Sequence, residues 1–185
     1  LEASAEVYGH NEKGLWVHAL CVASGAHTLA KLTRQSAEIQ EEIFVAGLLH
    51  DVGKVPLANY MVEAIQGHEG PRLDPETERH VLGIDHQEAG GIVSRKWNLS
   101  PMVHEVIERH ETGSRGEHRL AVAIVRLSDL YSRELGKGYD ASSSRSVSYP
   151  EEDLELLGLD EPLWSEAREE MREAMDAALA TLGNL

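Results

Sequence analysis

Apolar positions in this chain recur every three or four residues, and no run alternates with the two-residue period of a half-buried strand. The pattern predicts an all-α fold. Gly14 precedes a first helix over about 15–32, with Leu15, His18, Val22, Ala26 and Leu29 on one stripe. A second helix, about 36–50, becomes almost wholly apolar from Ile43 to Leu49. Its last turns are therefore expected to be buried all round, with Gly53 placed to end it. Residues 55–75 read as a short helix and a loop broken by Gly67, Gly70 and Pro71. Asp85 and Glu88 have capping-box spacing, which puts His86 in the first turn of a helix reaching about residue 97. Ser100-Pro101 starts another, to about 111. A long apolar helix over about 119–135 follows, then a glycine- and serine-rich segment. Two terminal helices, near 151–157 and 162–182, complete a bundle of about seven helices, with Gly183 as the final stop. Residues 1–135 are expected to form the core, 136–149 a Gly/Ser-rich loop, and 150–185 C-terminal helices packing on the same domain.

Composition narrows the picture. At 185 residues and 42% hydrophobic, the chain can bury one substantial core. Seventeen basic residues against 32 acidic ones give a net charge of −15, which argues against a general nucleic-acid-binding surface. A small phosphorylated ligand held locally is compatible with that charge. The acidic surface also suits a basic protein partner, and a homo-oligomer is a further option. Cys21 is the single cysteine, so no intrachain disulfide can form and a reducing, cytoplasmic compartment is expected. No apolar run approaches the ~20 residues needed to span a bilayer, and the N-terminus lacks signal-peptide regions. The chain opens with Leu1 rather than Met, as a piece of a longer protein would.

Ten histidines carry the candidate chemistry, sorted by helix face. His18 lies on the Leu15/Val22 stripe, and His110 shares a face with Val103, Val106 and Ile107, so both point inward. His104 groups with Glu108 and Glu111 and is expected in solvent, and His27 sits nearer the polar side with Lys31. His10, His68, His80 and His118 fall in polar or loop contexts. His50-Asp51 ends the apolar second helix, where an imidazole and a carboxylate are costly unless compensated. Asp129 interrupts the apolar run 120–130 on the face of Val122 and Val125. A salt bridge to Arg126 or Arg133 is one account of it, and a metal ion the other. Together His18, His50, Asp51, His86, His110 and Asp129 offer four imidazoles and two carboxylates. That is enough for a two-metal centre bridged by Asp51, and mixed N/O ligation suits Fe, Mn, Co, Ni or Zn better than Ca.

The order His18, His50-Asp51, Asp129 resembles the HD superfamily of metal-dependent phosphohydrolases over about residues 8–135. Gly14-Leu15-Trp16-Val17-His18, Leu49-His50-Asp51-Val52-Gly53-Lys54, and Leu82-Gly83-Ile84-Asp85-His86-Gln87-Glu88-Ala89-Gly90 with Trp97-Asn98-Leu99 are similar to its HDOD branch. HDOD proteins are mostly bacterial signalling or regulatory proteins, and many have lost metal ligands. This chain keeps all six. HDOD domains normally begin with a further helical portion that these residues do not show. Arg109-His110-Glu111-Thr112-Gly113 retains one histidine and the glutamate of the HD-GYP signature, with no Gly-Tyr-Pro after it, so cyclic-di-GMP is not the implied substrate.

The resemblance implies two divalent ions, one on His18, His50, Asp51 and Asp129, the other on Asp51, His86 and His110. It implies Lys54 as a positive charge for a phosphate and Glu111 as a water-orienting or supporting group. Arg115 and Arg119 become candidate phosphate contacts. The expected function is an HDOD-type signal-transduction protein with a dinuclear centre able to hydrolyse a nucleotide or small phosphate ester. The alternative is a dedicated nucleotide phosphohydrolase, including one acting on dinucleoside polyphosphates, and whether the chain is an enzyme or a regulator stays open.

Overall fold

The computed structural model describes residues 14–64, 74–137 and 147–182. Among these lie nine helices and no strand: α1 (Gly14–Leu32), α2 (Ala37–Leu49), α3 (Lys54–Ala64), α4 (Pro75–Leu82), α5 (His86–Lys96), α6 (Pro101–Arg109), α7 (Arg119–Glu134), α8 (Glu151–Leu157) and α9 (Glu161–Leu182). Residues 1–13 with His10, the breakers Gly67, Gly70 and Pro71 with His68, residues 138–146 of the Gly/Ser-rich segment, and Gly183 lie outside the described residues.

Local chemistry sets most boundaries. Ser36 accepts a hydrogen bond from the Ile39 amide at the start of α2, and Ser100 does the same from Val103 ahead of Pro101 in α6. Asp85 and Glu88 form the complete capping box of α5. The helix the periodicity leaves out is α4. Asp74 caps it by accepting from the Thr77 amide, Pro75 occupies its first turn, and Gly83 closes it at φ 75°. Eight residues are too few for a periodic signal to stand out, so only these caps mark it.

Helix α1 is the central post, with α2, α7 and α9 packed around it. Val22, Ala26 and Leu29 of α1 meet Ile43 and Ala46, Val122 and Val125, and Met171 and Met175 in one continuous core, while Leu15 is only half-buried. Each fully buried Leu, Ile or Met contributes roughly 1.5–3 kcal/mol of transfer energy. Close approach is bought with glycine: a Cβ on Gly47 would lie 2.9 Å from the Ala23 Cα, so α2 rests almost directly on the α1 backbone. The end of α2 is not buried all round as expected. Val45 is 42% exposed, because α1 covers only the side carrying Ile43, Ala46 and Gly47. Cys21 is a core residue whose thiol burial pushes up to about 11. No helix among the described residues is long and apolar enough to cross a membrane.

Candidate metal centre

Six side chains from five helices or helix ends converge beside α1. His18 projects from the second turn of α1, Asp129 from the middle of α7, and His110 is the C-terminal cap of α6. His50 caps α2 and Asp51 follows it in the tight turn to α3. His86 is the first residue of α5. All six are buried. Gly53, placed by the sequence to end α2, is not its cap: His50 is, and the φ of Gly53 is not positive. Its role is contact: a Cβ there would collide with the His86 carbonyl oxygen and the Gly90 nitrogen. The missing side chain lets the Asp51 turn sit against the start of α5.

Asp51 lies at the centre with its two oxygens facing opposite ways. Its Oδ1 is 3.5 Å from His110 Nε2 and 3.6 Å from His86 Nε2. Its Oδ2 is 3.3 Å from His50 Nε2, 3.9 Å from His18 Nε2 and 2.6 Å from Lys54 Nζ. At the far end, His18 Nε2 lies 3.0 Å from Asp129 Oδ1.

The outward nitrogens decide the tautomers. His50 Nδ1 is 2.7 Å from the Gly47 carbonyl and His110 Nδ1 is 3.0 Å from the Ile107 carbonyl. A carbonyl oxygen only accepts, so each Nδ1 donates its proton. His86 Nδ1 donates to the Glu78 carboxylate at 2.7 Å. The Nε2 atoms of His50, His86 and His110, together with Asp51 Oδ1, are buried with no hydrogen-bond partner. A bare ring nitrogen facing a carboxylate sets lone pair against lone pair, a contact that a proton on the nitrogen or a cation between the two relieves. Two ligands ~2.0–2.1 Å from one ion in tetrahedral geometry lie about 3.4 Å apart, close to the spacings around Asp51. The residues fit a divalent metal. Among the described residues, three overlapping trios could hold one: His18 with His50 and Asp129, His50 with Asp51 and His110, and His86 with His110 and Glu111.

Electrostatics organise the same groups. Burial drives the His18 imidazole down to about 4 despite Asp129 beside it, and it lowers His110 as well. Burial also disfavours the charged form of His50, but Asp51 and Asp129 outweigh it and hold that imidazole above its ordinary value. Burial would raise Asp51, yet His50 and the Lys54 ammonium hold it well below the carboxylate range. Asp129 is likewise held down against burial, chiefly by Arg133. That guanidinium binds both Asp129 oxygens, at 2.9 and 2.7 Å, and reaches Glu111 Oε1 at 3.0 Å. Glu111 is lowered mainly by Arg133 in spite of burial, and its Oε1 stands 3.8 Å from His86 Nε2. A cavity of about 160 Å³, lined by His110, Glu111, Asp129, Arg133 and Pro150 among others, opens onto this end. It has room for several waters.

Residues 2–112 match the HDOD domain. The chain belongs to the HDOD family. No curated protein matches this HDOD chain. Its fold is similar to that of a "Putative signal transduction protein" from Marinobacter aquaeolei VT8, at a TM-score of 0.72 and 22% identity, covering 91% of this chain and 38% of that one. It is similar also to an HDOD domain protein with unknown function from Geobacter sulfurreducens (TM-score 0.61, 22% identity, 97% and 63% covered). A "Putative phosphohydrolase" from Shewanella amazonensis SB2B gives 0.62 and 20% identity over 88% and 61%. This HDOD chain thus spans less than two thirds of the length of each. The HDOD match ends before Asp129 and Arg133.

Of the residues read from sequence, His18, His50, Asp51, Lys54, His86, His110, Glu111 and Asp129 come together. Arg115 and Arg119 do not join them. They line a separate groove with Arg109, His118, Glu152 and Leu156, which shares no lining residue with the cavity at His110. His104 is not in solvent: it is half-buried, with Nδ1 2.6 Å from Ser94 Oγ and Nε2 3.4 Å from Glu108. His27 pairs with Glu41 at 3.5 Å. Sequence reasoning missed Glu78, which is fully buried and takes both the His86 amide and Nδ1 on one oxygen at 2.7 Å. It also missed Ser132, whose Oγ lies 3.2 Å from His18 Nδ1. The Asp74-Pro75 cap was the available signal for α4, and with it for Glu78.

Proposed function

We propose that this HDOD protein is a signal-transduction module built around a divalent transition-metal centre that engages, and can hydrolyse, a nucleotide or other small phosphate ester. One observation carries the reading: three buried imidazoles present unpartnered Nε2 atoms beside an unpartnered oxygen of Asp51. His50, Asp51, His86, His110, His18 and Asp129 are the residues that would hold metal, and Fe, Mn, Co, Ni and Zn suit their mixed N/O donors. A divalent ion supplies Lewis-acid polarisation of a phosphoryl oxygen. Asp51 keeps Lys54 beside the centre as a positive charge for the ligand's phosphate. Glu111 borders the cavity and can orient a water there. The net charge of −15 favours a basic protein partner over nucleic acid, and the single buried cysteine suits a cytoplasmic setting.

Elemental analysis of natively purified protein, with and without Asp51→Asn, tests the reading. Bound transition metal that Asp51→Asn loses supports it, and protein that stays metal-free after reconstitution overturns it. Hydrolysis of a panel of nucleotides and phosphate esters then separates the two functional forms. Turnover abolished by Asp51→Asn marks an enzyme, and stoichiometric metal without turnover leaves a metal-bearing regulator.

A further inference from the structure

All six residues that would hold metal are buried, so a ligand has to reach them through an opening. The cavity of about 160 Å³ leads to them: His110, Glu111 and Asp129 line it, and so do Arg126, Arg133 and Ser148. Its carboxylates are already paired, because Arg133 binds Asp129 at 2.9 and 2.7 Å and Glu111 at 3.0 Å. Arg126 differs, since its acid partners stand outside the cavity. Its Nη1 reaches Glu152 Oε1 at 3.4 Å and Asp153 Oδ2 at 3.2 Å, and both acids line the neighbouring groove instead.

A guanidinium carries five N–H donors in a planar fork. Among the described residues, the hydrogen bonds of Arg126 are made by Nη1 alone. The Nε and Nη2 donors of a side chain lining the cavity therefore remain for a ligand, and their fork matches two phosphate oxygens. The chain also makes room for this group. Gly113 (φ 76°) packs so closely that a Cβ there would lie 2.8 Å from Arg126 Nη1.

Size narrows the ligand. At ~30 Å³ per water, the cavity holds about five waters. Pockets that enclose a whole small-molecule ligand run to about 300–1,000 Å³. A phosphate head fits here and a nucleoside does not. A terminal phosphate enters by its free oxygens with one substituent trailing outside, whereas an internal phosphate brings a second substituent for which there is no room.

Resting on the metal-binding reading above, we infer that this cavity is a phosphate subsite, in which Arg126 binds the terminal phosphate of a monoester while the rest of the ligand stays outside. Arg126 takes the part expected of Arg115 and Arg119, which line the other groove. Dinucleoside polyphosphates, whose phosphates are all internal, are thereby disfavoured as ligands.

Isothermal titration calorimetry of metal-loaded protein, with metal content measured in every sample, tests this without any activity measurement. The probes are inorganic phosphate, phenylphosphonate and symmetrical diphenyl diphosphate. The last matches phenylphosphonate in charge at mildly alkaline pH but has no terminal phosphate. Phosphate and phenylphosphonate should bind, and the diphosphate should bind at least about ten-fold more weakly than phenylphosphonate. Arg126→Gln should weaken the first two by at least about ten-fold with metal content unchanged. Ser148→Glu, a substitution at an exposed position on the cavity wall, should weaken them by at least about three-fold through like charge. Arg115→Gln and Arg119→Gln, exposed and screened by salt, should stay within about two-fold of wild type. Circular dichroism establishes that each variant is folded. Diphosphate binding as tight as phenylphosphonate overturns the inference, and so does a folded Arg126→Gln that binds like wild type. If that variant does not fold, an unaffected Ser148→Glu overturns it instead. Metal-loaded wild type that binds neither phosphate nor phenylphosphonate overturns the inference and leaves the metal-binding reading intact, and protein that takes up no metal overturns both.

Discussion

Replacing Glu78 with glutamine changes one atom and probes the support behind His86. The carboxylate Oε2 accepts from the His86 amide and from His86 Nδ1, each at 2.7 Å, in a fully buried position on α4. A glutamine carbonyl can still accept both, so the two bonds survive without their charge assistance, while the NH2 takes the buried, unpartnered place of Oε1. Charge-assisted hydrogen bonds contribute about 1.5–3 kcal/mol each against about 1 for neutral ones. The loss over the two bonds is therefore about 2 kcal/mol of apo-protein stability. The effect on metal is separable. A carboxylate on Nδ1 raises the basicity of Nε2, and losing such a partner typically weakens metal binding about 10–100-fold. Alanine is a poorer probe, because it orphans two buried donors at about 1–3 kcal/mol each. That approaches the whole stability of a domain of this size. Competition against a chromophoric chelator gives the metal affinity, and urea unfolding of the stripped protein gives the stability. An affinity within two-fold of wild type in a folded Glu78→Gln protein would refute the idea that Glu78 tunes His86 as a ligand.

Two further outcomes follow from the same geometry. The His18 imidazole sits at about 4 in the fold against 6.5 in the unfolded chain, so between those values the unfolded chain binds more protons. Stability from this group is thus full above pH 6.5 and is lost as pH falls toward 4, by up to about 3 kcal/mol. The urea midpoint of metal-free wild type should drop more steeply between pH 7 and pH 5 than that of His18→Gln, and parallel profiles would sink the assignment. Gly53→Ala places a methyl against the His86 carbonyl oxygen and the Gly90 nitrogen, both backbone atoms that cannot swing away. A loss of at least about 1–3 kcal/mol is expected, with weaker metal binding as α5 is displaced. Gly83→Ala, with open space but φ 75°, should cost only about 1 kcal/mol and leave the metal affinity alone. Equal effects at the two glycines would contradict the contact argument.

What could be read from the sequence was what is decided within a turn or two of helix. The Asp85/Glu88 box, the Ser100-Pro101 start and the inward faces of His18, His110 and Asp129 depend only on short spacings, and the structure contains all of them. Choices made by distant residues were not legible. Arg126 and Arg133 were equal candidates to pair with Asp129. The structure selects Arg133 because Arg126 is drawn to Glu152 and Asp153 on α8. Glu78 reaches His86 only because Gly83 reverses the chain between α4 and α5. Gly53 had the right residue type for a helix stop, yet its cause is a neighbour 33 residues downstream. The groove around Arg115 and Arg119 diverges from the centre although their positions in sequence follow His110 closely.

His50 and His110 each donate from Nδ1 to the carbonyl three residues earlier in their own helix. The orientation of each imidazole is therefore written into a four-residue segment and borrows nothing from the other helices. Such a centre is modular. One helix end can exchange its histidine for another residue while the remaining rings keep their tautomers and their aim. A scaffold of this kind can shed or regain ligands singly over evolutionary time without passing through an unfolded ancestor, and a binding module and a hydrolase can then lie a few substitutions apart.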